Sequence, residues 1–341
     1  MSLDTLAIIW FVLWGVIWTV YFILDAYSLG TGMIFPLVTK NRKERNQLQE
    51  TIGPFWGGNE VWLVTAGGAT FAAFPAVYAT MFSSLYEAML LLLFALFFRG
   101  AGLELMHKDD NPLWQKFFKW AFTISSYALP LLLGVAFSNL YYGLLLGENG
   151  YEGSFFKLLH AYSILGGLVF IALFMTSGAL WVMIKNTGEV VSRSYKIAKF
   201  AAPVAAAAIA MFFVGTMNES RIADNFNEYP VLFSAPVATL LISLATIYFI
   251  FKNKIKSAFA SVCITIFALS ATGFIGMFPN MLISRIDEAY SLTLYNSSGS
   301  QKNLQLMFIV AVIMVPIVIG YQIWSYTLFK KKITTDEAKG Y

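Results

Sequence analysis

Histidine is nearly missing: His107 and His160 are the only two in 341 residues. Cysteine is rarer, with Cys263 alone, so no intrachain disulfide can form. Charged residues make up 12% of the chain, about half the share of an ordinary soluble domain. No CxxC, HExxH, P-loop or nucleophile-elbow pattern occurs, which leaves soluble-enzyme catalysis without its usual carriers. The opening MSLD lacks a basic region, and no small-residue cleavage site follows the first apolar run. That run is therefore expected to stay in the chain rather than leave as a signal peptide.

What fills the space is apolar. Hydrophobic residues reach 58% and the mean hydropathy is +0.67, the profile of an integral membrane protein. Apolar stretches fall at 7–37, 54–80, 83–99, 118–143, 159–184, 199–217, 233–251, 258–282 and 305–329. The second and third are almost continuous and are divided at Thr80–Ser83, after Pro75, because together they are too long for one crossing. The expectation is an all-α protein of nine transmembrane helices.

Charge orients it. If the spans alternate, the even-numbered loops hold four basic residues, Lys157, Arg221, Arg285 and Lys302, and the other 19 of 23 lie in odd-numbered loops and the tail. The tail contributes Lys330, Lys331, Lys332 and Lys339. Basic loops stay in the cytoplasm, so the N-terminus belongs outside and the C-terminus inside. Eight spans would break the alternation. The net charge of +4, distributed this way, answers to the membrane and not to nucleic acid.

A faint echo links ATFAAFPAVY (69–78) with TGFIGMFPNM (272–281), each setting Phe-Pro near the outer end of a span. Repeated halves are common in membrane folds. This divides the chain into a four-helix bundle at 1–143, a second at 144–282, and an outer loop, ninth helix and basic tail at 283–341. Small residues are dense at Ala66-Gly67-Gly68-Ala69, at Gly166-Gly167 and through Ala201–Ala210. In lipid such positions let helices approach closely, so these faces are expected to press on another helix. Trp10, Trp14, Trp18, Trp324 and Tyr326 partly fit interfacial aromatic belts.

For chemistry the histidines come first. On this topology His107 is cytoplasmic and His160 begins the fifth span outside, so a core of about 30 Å separates them. They cannot share a metal, and a haem held wholly here would need methionine as a partner ligand. No metal ligand set is expected. Three acids lie inside spans: Asp25, Glu60 and Glu87. Intramembrane acids are costly and mark ion or proton routes, or else are satisfied by neighbouring hydroxyls and amides. Asp25 stands 15 residues before Lys40, roughly 20 Å along a helix, less if Gly30-Thr31-Gly32 breaks it. Glu60 follows Pro54 and lies only about 9 Å in. A cytoplasmic proton path would place Glu60 at the mouth and Asp25 deeper. Glu87 is expected to be solvated at the outer face. Arg99, ending the third span, is expected to snorkel to headgroups, or instead to neutralise Glu104 or a partner. From these residues alone a secondary transporter with Asp25 and Glu60 as coupling sites ranks first, ahead of a purely structural scaffold.

Several stretches change that ranking. LDAYSLGTGMIFP (24–36), GPFWGGNEVWLVTAGGATFAAFPAVYA (53–79), LFFRG (96–100), GVAFSNLYYG (134–143), GFIGMFP (273–279), SLTLYNSSGSQKNLQLM (291–307) and VPIVIGYQIWSYTLF (315–329) resemble subunit II of the cytochrome bd-type quinol oxidases. The resemblance runs from end to end. It implies a subunit of a bacterial cytoplasmic-membrane complex that oxidises quinol and reduces oxygen to water. It further implies a larger subunit I that carries the haems and the quinol site, often a small single-helix peptide, and surrounding lipid and quinone. No catalytic or cofactor-binding residue is expected here; proton delivery from the cytoplasm is. The acid matching Asp25 carries over. Family members read W-D-G-N-Q-V where this chain reads W-G-G-N-E-V (56–61). The family's aspartate is replaced by glycine and its glutamine by Glu60, so the expectation is that the carboxylate has moved to Glu60.

Overall fold

The protein, as a computed structural model, is described over residues 1–336 and 338; Lys339 lies outside the described residues. Twelve helices follow in order: α1 Leu3–Val38, α2 Arg42–Ile52, α3 Trp56–Ala73, α4 Pro75–Ser84, α5 Tyr86–Leu105, α6 Pro112–Tyr142, α7 Ala161–Lys185, α8 Glu189–Glu219, α9 Ala223–Glu228, α10 Ser234–Phe251, α11 Ile255–Met277 and α12 Gln301–Leu328. Among the described residues eight helices are long and apolar enough to cross a membrane: α1, α5, α6, α7, α8, α10 with the turn before it, α11 and α12. The chain is thus an all-α, multi-pass membrane protein.

The ends obey local chemistry. Ser2, Asn41, Asn111, His160 and Ser300 each accept a backbone N–H at a helix start, satisfying donors that would otherwise be orphaned. The stretch 54–80 is cut in two. Pro75 forces the preceding Phe74 out of the helical region, to φ −133°, ψ 69°. A second break at Leu85 separates α4 from α5, just beyond the division expected at Thr80–Ser83. Conversely α1 does not break at Gly30-Thr31-Gly32 but runs on to Val38. Those glycines serve contact instead. A Cβ on Gly30 would meet the Phe174 carbonyl oxygen at 1.8 Å, and one on Gly178 the Gly30 carbonyl carbon at 2.2 Å. Here α1 and α7 touch backbone to backbone.

Helix α1 is the hub, packed on α3, α6, α7, α11 and α12 and buried at every position from Asp25 to Phe35. Gly166-Gly167 behaves as expected, closing α7 onto α6 at Gly134, and Ala201, Ala202, Ala205, Ala206 and Ala208 are buried on α8. Gly67-Gly68 does not. A Cβ on either, or on Gly57 or Gly58, would meet nothing within 4 Å, so within this chain that face of α3 is open. Helix α12 buries only Leu304. It is pinned at its ends, by Trp10 Nε1 on the Leu304 carbonyl at 3.0 Å and by the Tyr27–Tyr326 hydroxyl pair at 2.5 Å.

The loops gather at two ends. At one, Gln47 donates to the carbonyls of Thr187 (3.1 Å) and Ile333 (2.9 Å), Lys185 to that of Phe329, and Arg193 bridges Glu44 and the Val38 carbonyl at 2.8 and 2.6 Å. At the other, two short antiparallel ladders, Leu146–Gly147 with Gly150–Tyr151 and Asn280–Leu282 with Leu292–Thr293, meet through Leu144 and Ser284.

Candidate functional site

An arginine inside an apolar bundle must be paired, because an isolated buried cation is prohibitive. Arg99 has no exposed surface. It neither snorkels nor pairs with Glu104. Helix α5 runs on to Leu105, well past the end at 99 expected from hydropathy, so the guanidinium lies within the helix and turns inward. Its Nη2 donates to Asp25 Oδ1 at 2.9 Å and Ser28 Oγ at 2.6 Å, and its Nη1 to Asp25 Oδ2 at 3.2 Å and to Glu60 Oε1. The Asp25 contact is the planar two-point pairing that arginine makes best. Three helices supply the cluster: α1 gives Asp25 and Ser28, α3 gives Glu60, and α5 gives Arg99.

The two sequence-chosen acids therefore meet, but not in single file. They lie side by side on one guanidinium. They still differ in access: the Asp25 side chain is 0% exposed and that of Glu60 19%. The Arg99 Nε has no protein partner. Glu87 stands apart, exposed at the start of α5.

A polar neighbourhood supports the cluster. Asn59, fully buried beside Glu60, donates from Nδ2 to the Leu24 carbonyl and the Tyr27 hydroxyl, both at 2.9 Å. Tyr27 in turn meets Tyr326 on α12, and its ring packs on Trp181 at 4.4 Å between centres. Ser28 and Tyr27 were not among the residues singled out from the sequence. The signal was available in Asp25-Ser28, one helical turn apart on one face.

The histidines do not join this site. His160 caps α7, accepting from Ser163 N at 3.4 Å and lying 3.3 Å from Asn139 Oδ1. His107 follows α5. Burial first, and then the charges of Arg45 and Arg42, push its imidazole down to about 4, so it is neutral near pH 7. Among the described residues no three His, Cys, Asp or Glu side chains are grouped to hold a metal. The cavity of about 430 Å³ between α6, α7, α8, α10 and α11 is lined by Phe137, Phe170, Phe212, Met217 and their neighbours, with no histidine or cysteine. Its side chains of a kind that can ligate haem iron are Met217 and Tyr141, without the histidine that methionine is paired with in such sites.

Comparison with known proteins adds identity of kind. Residues 6–329 match the family model described as cytochrome bd terminal oxidase subunit II. The chain is 32% identical to the cytochrome bd-I ubiquinol oxidase subunit 2 of Escherichia coli K12, covering 98% of this chain and 97% of that protein. It is also 32% identical to the cytochrome bd ubiquinol oxidase subunit 2 of Bacillus subtilis 168, covering 98% of each. Its fold resembles a chain of the bd oxidase from Geobacillus thermodenitrificans with a TM-score of 0.77 at 14% identity, covering 95% of this chain and 98% of that one.

Proposed function

The chain belongs to the cytochrome bd terminal oxidase subunit II family, and from that premise we propose that it is the non-haem subunit of a terminal quinol oxidase and conducts protons through the Asp25–Arg99–Glu60 cluster. The observation that carries the proton role is the charge count. One guanidinium faces two carboxylates in a buried setting, so the fully ionised cluster holds one negative charge too many. A single added proton balances it. Glu60, the partly exposed member, is the natural point of exchange; Asp25, sealed behind Arg99, holds the inner position. The haems and the quinol site belong, on this proposal, to a larger subunit I. There the haems supply the electron transfer to oxygen, and no step of that chemistry passes through residues of this chain.

The open glycine face of α3 and the bare middle of α12 support docking of that partner, since small residues are favoured where helices meet in lipid. Helix α3, 18 residues long, measures roughly 27 Å. It would supply the ninth crossing, with the N-terminus outside and the basic loops inside. The halves 1–143 and 144–282, and a small single-helix peptide beside them, complete the proposed complex. The transporter reading loses its main support, because α1 is unbroken at Asp25.

Steady oxygen consumption by the whole complex tests the proton role. Glu60→Gln and Asp25→Asn should each lower turnover by about a hundredfold or more, the low end of what a positioned proton-transfer group contributes. Wild-type turnover in both, with haem content unchanged, would sink it.

A further inference from the structure

A second cluster of cations lies at the far end of the molecule from the basic loops. The end of α6, the start of α7 and the segment after α11 enclose a pocket of about 230 Å³. Lys157, His160, Arg285, Tyr142, Tyr151 and Leu145 line it, and no acid does. Lys157 and Arg285 are two of the four basic residues assigned above to the outer loops. Their convergence is unexpected for a face nearly stripped of positive charge.

Arg285 is held in place. Its guanidinium carbon lies 3.8 Å from the Tyr142 ring centre, and the His160 ring centre lies 4.0 Å from the same ring. Two groups that near one ring centre cannot share a face, so Tyr142 sits between them. Arg285 Nη1 donates to the carbonyls of Tyr142 (3.3 Å) and Glu219 (3.2 Å). Gly143, at φ +96°, lets the Arg285 stem pass: a Cβ there would lie 2.9 Å from Arg285 Cγ. Among the described residues neither Arg285 nor Lys157 has a carboxylate within ion-pair distance. Glu219 is exposed; it gives Arg285 its backbone oxygen, and its carboxylate acts on His160 only through the field of its charge. A preorganised arginine and an exposed lysine beside a pocket, neither held in an ion pair among the described residues, are a receptor for an oxyanion.

We propose that this pocket binds a phosphate oxyanion, supplied by the phosphodiester of an anionic phospholipid. The position favours the lipid, since helix ends mark the headgroup level whichever way the chain is oriented. The lining favours it too, because Leu144, Leu145 and Leu158 offer an apolar wall to the glycerol end. Basic pockets between transmembrane helices recognise headgroups in this way.

The purified, delipidated complex tests this. Titration with phosphatidylglycerol in mixed micelles, and separately with inorganic phosphate, would be followed by native mass spectrometry and thermal shift. Wild-type complex should bind phosphatidylglycerol saturably. Lys157→Gln and Arg285→Gln should each weaken it about fivefold, the usual worth of one basic residue at a membrane surface, and Arg285→Lys should recover part of the loss. Lys157 is exposed, so its variant does not depend on refolding the pocket. Saturable binding of inorganic phosphate with the same charge dependence would keep the oxyanion site and move its source to solution. No saturable binding of either probe, or binding indifferent to both substitutions, overturns the proposal.

Discussion

Arg99 shows how one side chain can decide the meaning of others. Without it, Asp25 and Glu60 are two costly buried acids; with it, they are a shared-charge unit. Arg99→Gln leaves both carboxylates without their cation. Breaking a buried pair by removing one partner costs about 3–5 kcal/mol, so the yield and thermal midpoint of the complex should fall sharply. Asp25→Asn in the same background removes half of the stranded charge and should recover part of the loss. Thermal midpoints of the two single variants and the double variant would measure this coupling. Strict additivity would mean that the contact carries no energy. The glycine pair at the position of the family's aspartate adds a second point. A Cβ at Gly57 or Gly58 would meet no atom of this chain within 4 Å, whereas Glu60 reaches Arg99. Glu60 is therefore not a simple relocation of a carboxylate to an equivalent place. It faces the interior cluster, while the positions it was thought to replace face out of the chain.

At the scale of elements, glycine separates into two kinds. Gly178 is a contact with no spare room, so Gly178→Ala must push α7 from α1 and should cost about 1–3 kcal/mol, as overpacking does. Gly68→Leu meets only open space in this chain. It should leave the chain's own fold intact yet reduce the amount of haem-carrying partner that co-purifies. Equal behaviour of the two variants would refute the distinction. The same contrast explains what was legible from sequence. Apolar runs announced the helices because hydropathy follows composition, and they were right about the eight long ones. They could not tell a small-residue face packed on a sister helix from one left for a partner, because both demand the same residues. Helix ends were equally hidden: α5 continues through Glu104 to Leu105, where polarity suggested a stop. That misplacement put Arg99 at the membrane edge and concealed the site. Pro75 did carry a readable signal, and the break falls at the residue before it, as proline sterics require.

At the scale of the molecule, the two clusters of loops pose the question of sidedness. One end ties the segment 39–52 to the Thr187 loop and the tail; the other knits the loops around Leu144 and Ser284. The first is rich in lysine and arginine and the second poor, so the positive-inside rule faces the first to the cytoplasm. On the proposed reading that orientation matters to function, since it would decide which side feeds protons to Glu60 and which leaflet meets the Arg285 pocket. The near absence of cysteine makes the test clean. With Cys263 changed to alanine, single cysteines placed at Asn149 and Gly299 should react in intact cells with a membrane-impermeant maleimide. One placed at Lys108 should react only after the membrane is opened. The opposite labelling pattern would invert the chain, open the Asp25–Arg99–Glu60 cluster to the other compartment, and remove the case for cytoplasmic proton uptake through this subunit.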